Sequence, residues 1–235
     1  MTARAKALLR KSLRSIYYQF RINEVLVDES CPKRTLRGDR AIEWSWVIRH
    51  LPHEPVSVLD VGCVQSTLSA TAARLGHRVT AVDLRPIEYE IDNVYFLQAD
   101  IRDLRLAPTF SIIMNCSTIE HVGLAGRYGS TNDLDGDLRA MRTLRTLLSQ
   151  NGRMILTIPV GCDAIFPPLH RIYGRDRLPQ LIAGFRITEQ EYWLKDEQDR
   201  WTLCTAERAV QEMGSEEYYG LALFVLESDA KRPLT

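Results

Sequence analysis

The sequence predicts an α/β protein built on a doubly wound, mostly parallel sheet of seven strands, with helices on both faces and an N-terminal helical extension. Two observations carry this prediction. From residue 56 onward, short apolar runs alternate with segments of helical periodicity, which is typical of a parallel sheet. The 235 residues, 45% of them hydrophobic, are also enough for one domain with its own core.

The chain is predicted to divide into an N-terminal arm, residues 1–38, and a single domain, residues 39–235. Apolar positions within residues 7–20 recur at helical spacing between basic residues, which indicates a short amphipathic helix. Residues 28–38 are polar and contain proline and glycine, so we expect a linker there.

The domain is predicted to begin with a helix over residues 39–51, with Asp39 as its N-cap. Alternating strands and helices follow. The strands are expected over residues 56–63, 79–84, 94–100, 111–117, 153–161, 185–194 and 218–228, and the helices over residues 68–76, 136–152 and 176–184. Gly76 is expected to close the first of these helices, and Asn151-Gly152 the second.

Acidic residues stand at the carboxyl ends of three successive predicted strands: Asp60, Asp83 and Asp100. A buried carboxylate is costly unless it meets hydrogen-bond donors, and the ribose hydroxyls and the amine of adenosine are such donors. Ligands of this sheet type bind at the carboxyl ends of the strands. Cys63, Ser66, Leu84, Asn115 and Ser117 also lie at or next to these strand ends and are expected to bind the same ligand, and the resemblance described next adds Gly62 and Ile101.

The order and spacing of these residues resemble the class I S-adenosylmethionine-dependent methyltransferases, over about residues 40–228. The resemblance implies a Rossmann-like fold, S-adenosylmethionine as cofactor and S-adenosylhomocysteine as product. It further implies that Asp60 and Gly62 hold the methionine part, Asp83 the ribose hydroxyls and Asp100 the adenine amine. Ile101 would flank the adenine.

Four stretches, residues 117–129, 135–141, 158–161 and 170–178, resemble more narrowly an uncharacterised bacterial and nematode branch of that family. Members of this branch often resemble sugar- or glycan-tailoring methyltransferases. The resemblance therefore implies methyl transfer to a hydroxyl of a small molecule, a sugar or a glycan. Two alternatives stay open: N-methylation of an amino sugar or small metabolite, and a binding subunit that has lost turnover.

One departure concerns the glycine loop after the first strand, where the family has an acid followed by three alternating glycines. Val64 takes the second glycine position and Ser66 the third. Valine resists positive φ, so either the loop follows another path, which we favour, or cofactor binding is weak. A dehydrogenase is the nearest competing use of the topology, but its G-x-G-x-x-G motif is missing from the sequence.

His121 is the best candidate for a catalytic base, because it follows the fourth strand, where methyl acceptors approach in this fold. An imidazole, with a pKa of about 6.5 in solution, suits removal of a hydroxyl proton. The alternative is a structural histidine that packs the loop. Glu120 is expected to orient His121 or to hold substrate. The remaining candidates are His170 as a catalytic residue and Tyr128, Arg171 and Tyr173 as substrate-binding residues, with a purely structural loop as their alternative.

Two further features have competing interpretations. Trp44 and Trp46 either pack in the core, which we favour, or stack on a sugar ring. Asp133, Asp135 and Asp137 resemble the start of a calcium loop, but the glutamate that such a loop needs is missing, so an EF-hand is rejected. A divalent metal held by one of these aspartates and His121 is not favoured, and Asp137 is expected as a helix N-cap.

The chain carries 30 Lys and Arg residues against 30 Asp and Glu residues, which argues against a general polyanion binder and thus a nucleic-acid partner. No apolar run reaches the length of a membrane span. Five widely spaced cysteines fit a reduced, cytoplasmic setting. Residues 1–21 hold six bases and no acid, whereas residues 187–229 hold eleven acids and three bases. The basic helix is therefore a candidate for docking on acidic surface of its own chain or of a second copy in a homodimer.

Overall fold

The computed structural model describes residues 34–107, 109–126 and 128–229. The expected N-terminal helix, and with it the docking or dimerisation of that helix, lies outside the described residues. In chain order the elements are α1 (Asp39–Arg49), β1 (Ser57–Val61), α2 (Leu68–Arg74), β2 (Arg78–Asp83), β3 (Val94–Gln98), β4 (Phe110–Cys116), a 3-10 helix (Ile119–His121), α3 (Gly136–Leu147), β5 (Leu148–Val160), β6 (Ala164–Phe166), β7 (His170–Ile172), α4 (Arg177–Leu181), β8 (Phe185–Lys195), β9 (Trp201–Cys204), α5 (Ala206–Ala209) and β10 (Gly220–Ser228).

The central sheet has the strand order β3-β2-β1-β4-β5-β10-β8-β9. Strands β1 to β5 pair in parallel, whereas β10 is antiparallel to both β5 and β8. The strand order reverses between β1 and β4, and in sheets of this type that reversal opens a crevice at the carboxyl ends of the strands. The mostly parallel, doubly wound sheet is thereby confirmed.

The sheet has eight strands, one more than the expected seven. The additional strand, β9, pairs antiparallel with β8 at the edge of the sheet. It has only four residues, too few for a periodic signal in the sequence. The short strands β6 and β7 form a separate two-stranded sheet after β5, which the sequence analysis also missed.

Helices cover both faces of the sheet, as the sequence predicts. On one face, Trp46 and Val47 of α1 pack with Ala72 of α2 against the sheet. On the other face, the core contains Met141 of α3 together with buried side chains of α4 and α5. Successive residues of a strand point to opposite faces of the sheet, so the apolar residues of one strand pack into the cores on both faces.

The start of α1 and the end of α3 differ from the expected ones. The N-cap position of α1 is Gly38, at φ +87°, and Asp39 is the first helical residue. Helix α3 ends at Leu147, because the chain turns directly into β5. The Asn151-Gly152 pair marks an irregularity in the β4–β5 pairing instead of the helix end. Gly152 is required there, since a Cβ atom would lie 2.8 Å from the carbonyl oxygen of Phe110.

Candidate functional site

A cleft with a cavity volume of about 180 Å³ lies at the carboxyl ends of the strands next to the reversal of strand order. We call it the methyl cleft. Ten of the predicted site residues line it: Asp60, Gly62, Ser66, Asp83, Leu84, Asp100, Ile101, Ser117, His121 and Tyr128. Residues that are distant in sequence thus meet at one edge of the sheet.

The loop after β1 follows a path that accommodates Val64. The left-handed conformation falls on Gly62, at φ +75°, and on Gln65, at φ +74°, whereas Val64 keeps a negative φ. The amide of Ser66 donates to the carbonyl oxygen of Cys63 at 3.1 Å, which closes a turn with Gln65 in its third position. A positive φ at that position is the mark of a type II turn. The structure therefore shows the first of the two alternatives for this loop.

Asp83 ties this loop to the end of β2. Its Oδ2 accepts the amide hydrogen of Val64 at 3.0 Å, and its Oδ1 accepts that of Arg85 at 2.9 Å. The Arg85 guanidinium lies 3.5 Å away. A carboxylate oxygen has two lone pairs, so each oxygen of Asp83 retains acceptor capacity toward the cleft.

Asp60 is buried at the base of the cleft and accepts a hydrogen bond from the Ser69 hydroxyl at 2.5 Å. Burial raises the pKa of Asp60 to about 6, although the hydrogen bonds from Ser69 oppose the shift. Cys63 is also buried, and it does not line the cleft. Burial, reinforced by the charge of Asp60, raises the pKa of the Cys63 thiol to about 12.

Asp100 shares its carboxylate with Arg102. The amide and the Nε of Arg102 donate to Oδ1 at 2.9 and 3.0 Å, and its Nη2 donates to Oδ2 at 2.5 Å. Burial alone would raise the pKa of Asp100, but these hydrogen bonds outweigh it and hold the pKa below its usual value. Most of the acceptor capacity of Asp100 is therefore already in use. Ile101 next to it is buried and presents an apolar wall.

Helix α1 reaches into the site through Glu43, which is fully buried. Its carboxylate accepts hydrogen bonds from Arg40 at 2.8 Å, from Thr157 at 2.7 Å and from the hydroxyl of Ser117. This hydrogen bond holds the side chain of Ser117, whose backbone is in the left-handed conformation at φ +46°. Buried carboxylates persist when several donors compensate them, as here.

Arg40 and Trp44 line the methyl cleft one helical turn apart on α1. Trp46 instead belongs to the core, with 2% of its surface exposed. Trp44 is partly buried and packs against the same core, although it also lines the cleft, and stacking of Trp44 on a sugar ring stays a prediction.

His121 lies at the rim of the cleft in the 3-10 helix after β4. Its Nδ1 bonds to the carbonyl oxygen of Leu169. A carbonyl oxygen only accepts, so Nδ1 carries the hydrogen and Nε2 is the nitrogen that takes up or releases a proton. Nε2 lies 3.5 Å from Oε1 of the buried Glu120. The Tyr128 ring packs edge-on at 5.0 Å, and the Arg85 guanidinium covers that ring at 4.8 Å.

His170, Arg171 and Tyr173 do not line the cleft, and their burial corrects the expectation that they contact substrate or take part in catalysis. His170 packs on the Tyr219 ring at 4.9 Å. Arg171 donates to four backbone carbonyl groups, those of Glu120, Val122, Asp133 and Leu134. The Tyr173 hydroxyl donates to Asp137 at 3.1 Å. These residues hold the segment between the 3-10 helix and α3 in place.

Asn115 and Glu120 are likewise buried and lie behind the cleft instead of lining it. Neither side-chain polar atom of Asn115 has a hydrogen-bond partner among the described residues. Asn115 pairs with Val61 of β1 in the strand register, so it stands directly beside the start of the glycine loop.

The three aspartates that resemble a calcium loop are each paired with arginine. Asp133 lies 3.0 Å from Arg139, and Asp135 lies 3.1 Å from Arg177. Asp137 lies inside the first turn of α3 and pairs with Arg177 at 2.5 Å, so it does not cap the helix. In the part of the chain that the structure describes, no three His, Cys, Asp or Glu side chains come together as a metal site would require. The same residues include no helix with the length and apolar composition needed to cross a membrane.

Comparison with known families identifies where this chain belongs. Residues 88–224, more than half of the chain, match the family described as "Caenorhabditis protein of unknown function, DUF268". The chain is a member of this family.

Two curated relatives share parts of the sequence. The ubiquinone biosynthesis O-methyltransferase of Xanthomonas campestris pv. campestris (strain B100) is 23% identical over 197 residues, covering 79% of this chain and 76% of that protein. The protein of the same name from Xanthomonas axonopodis pv. citri (strain 306) is 29% identical over 106 residues. That match covers 40% of this chain, which thereby spans less than half, 44%, of the relative's length.

A solved structure similar to this family member is that of the Burkholderia thailandensis 1,6-didemethyltoxoflavin-N1-methyltransferase, with bound 1,6-didemethyltoxoflavin and S-adenosylhomocysteine. The TM-score is 0.52 at 19% identity, and the match covers 97% of this chain and 92% of that one. The similarity shows that the chain has the Rossmann-like fold of S-adenosylmethionine-dependent methyltransferases.

Several cleft residues were missed by sequence reasoning: Arg40, Gln65, Arg85, Thr118 and Ser130, together with Glu43 behind them. Gln65 and Arg85 could have been predicted, because they adjoin Ser66 and Leu84 and a loop at a strand end usually contributes consecutive residues to a site. Glu43 had no such signal, since a glutamate in a polar helix is normally exposed.

Proposed function

We propose that this protein is an S-adenosylmethionine-dependent methyltransferase that acts on a hydroxyl of a small molecule, a sugar or a glycan. The observation that carries the proposal is the meeting of Gly62, Asp83, Asp100 and His121 in one cleft, at the reversal of strand order. The two O-methyltransferase relatives and the fold support it.

The donor set of the cleft fits the cofactor. The acceptor capacity left on Asp83 suits the two ribose hydroxyls, and the apolar side chain of Ile101 suits the face of adenine. Asp100, with most of its lone pairs given to Arg102, would offer the adenine amine a single remaining acceptor position. The backbone at Gly62 and the buried Asp60 would meet the methionine part. When bound, S-adenosylmethionine supplies a methyl group, and the electron pair of the broken carbon–sulfur bond stays on the sulfur.

His121 would then take the proton that the acceptor hydroxyl loses. The carbonyl group of Leu169 holds the hydrogen on Nδ1, so the proton arrives at Nε2. The carboxylate of Glu120, 3.5 Å from Nε2, would stabilise the imidazolium that forms. Arg171 donates to the backbone carbonyl group of Glu120 and so fixes this pair relative to the cleft.

The acceptor would lie between Trp44 and Tyr128, whose rings offer stacking surfaces for a sugar or another ring. N-methylation is the second candidate, and the similarity to an N1-methyltransferase favours it. An activity screen with pairs of sugars that carry a hydroxyl or an amine at the same position separates the two. Methylation of the hydroxyl compounds alone is the expected result, and methylation of the amines alone would overturn the O-methyl assignment.

The cofactor assignment is tested by calorimetric titration with S-adenosylhomocysteine. The wild-type protein should bind it, and Asp83→Asn should weaken binding about tenfold or more, because one charge-assisted acceptor for the ribose is lost. Asp92→Asn, which changes an exposed aspartate outside the cleft, serves as the matched control and should leave the affinity unchanged. Failure of the wild-type protein to bind would overturn the proposed function.

A further inference from the structure

A second cleft, which we call the arginine cleft, lies between the segment after β3 and the exposed side of α3. Its cavity volume is about 310 Å³, and it shares no lining residue with the methyl cleft. Its main lining residues are Arg102, Arg105, Arg139, Arg142, Thr143 and Thr146. Arg142, Thr143 and Thr146 follow Arg139 by three, four and seven positions, so all four project from one side of α3.

The arginine cleft holds cationic charge that the described residues do not neutralise. Arg102 is committed to Asp100, and Arg139 lies 3.0 Å from Asp133. Arg105 and Arg142 are exposed, and neither forms an ion pair with any residue that the structure describes. The one acid that lines the cleft is Asp103. Since the chain as a whole is neutral, this excess is local.

The arginine side chains of the cleft indicate which anion it would bind. All four cations of the cleft are arginines, and a guanidinium presents a planar fork of donors that matches the oxygens of a phosphate group in pairs. The hydroxyls of Thr143 and Thr146 already donate their hydrogens to the carbonyl oxygens of Arg102 and Thr143, so the donors for an anion are the arginines.

From these observations we infer that the arginine cleft is a binding site for the phosphate group of a small phosphorylated ligand. Arg105 and Arg142 would hold the phosphate oxygens. Arg102 forms the wall of the cleft and stays bound to Asp100. The site does not depend on the methyltransferase assignment, because Arg105 and Arg142, which would hold the phosphate, do not line the methyl cleft.

The test is a calorimetric titration of the full chain with inorganic pyrophosphate at low ionic strength. The wild-type protein should bind pyrophosphate, and the double variant Arg105→Gln/Arg142→Gln should bind it about tenfold or more weakly. Arg78→Gln, which removes an exposed arginine on β2, is the matched control and should bind like the wild type. Arg102 is left intact, because its loss would disturb Asp100.

Four results would overturn the inference. The first three are no binding by the wild-type protein at millimolar pyrophosphate, equal affinity of the double variant, and an equal loss in Arg78→Gln. The fourth is displacement of pyrophosphate by S-adenosylhomocysteine, which would locate the anion in the methyl cleft. Thermal unfolding at the wild-type temperature shows that the double variant is folded, so a lost affinity cannot be attributed to misfolding.

Discussion

At Gly62, in the methyl cleft, a single added methyl group would collide with the side chain of Thr118. A Cβ atom there would lie 2.2 Å from Oγ1 and 2.4 Å from Cγ2 of Thr118. Thr118 cannot rotate away freely, because its hydroxyl donates to the carbonyl groups of Val61 at 3.0 Å and Cys116 at 3.1 Å. Gly62→Ala should therefore force Thr118 out of its place between β1 and β4.

The cost has two parts. A non-glycine residue at φ +75° costs about 1–2 kcal/mol in backbone strain. The Thr118 hydroxyl has one hydrogen, which the two carbonyl oxygens share, so displacement removes one bifurcated hydrogen bond with a net value of about 0.5–1.5 kcal/mol. We therefore expect Gly62→Ala to lower the free energy of unfolding by about 1.5–3.5 kcal/mol. Gly129 has a similar φ, +78°, but a Cβ atom there would meet nothing within 4 Å. Gly129→Ala should therefore lower the free energy of unfolding only by the backbone strain, about 1–2 kcal/mol.

Urea unfolding followed by circular dichroism measures both variants. Adding Thr118→Ala removes the two closest atoms, so Gly62→Ala should cost about 1 kcal/mol less in that background than in the wild type. The reasoning fails if Gly62→Ala costs no more than Gly129→Ala. It also fails if the effects of Gly62→Ala and Thr118→Ala simply add.

Three further predictions concern buried charge and the proton acceptor. Burial raises the pKa of Asp60 from 3.8 to about 6, so the folded state favours the protonated carboxyl group. The free energy of unfolding should therefore fall by about 3 kcal/mol as the pH rises from about 4 to 6, and it should stay level at higher pH. Asp60→Asn should abolish this fall, measured by urea unfolding between pH 4 and 7, and an unchanged pH dependence would show that Asp60 does not cause it. Arg171→Met should lower the free energy of unfolding by about 3–5 kcal/mol, whereas Arg186→Met, at an exposed ion pair, should cost less than about 1 kcal/mol; equal costs would show that burial of Arg171 is unimportant. His121→Gln should lower kcat for methyl transfer about 100-fold, with the affinity for S-adenosylhomocysteine unchanged; wild-type kcat would make His121 a structural residue.

The parts of the fold that the sequence predicts are those with a local signal. Strands β1, β2 and β4 follow from apolar runs, because a buried parallel strand is apolar along most of its length. Strand β10 is antiparallel, but it is also buried along most of its length and gives the same signal. The short edge strand β9 has no such signal, since it exists only through its pairing with β8. The end of α3 at Leu147 is also nonlocal, because pairing with β4 takes up the residues that the helix pattern would otherwise continue.

Within the site, the sequence alone determined which strands end in acids and where the chain turns at glycine, because strand ends and turns are encoded by adjacent residues. Only the tertiary structure decided which polar side chains face the methyl cleft and which are buried behind it. Glu43 meets Thr157 across 114 positions, and Arg171 is surrounded by carbonyl groups from two distant segments. The energy of a buried charge depends on its partners, and those partners come together only when the sheet and its helices have packed.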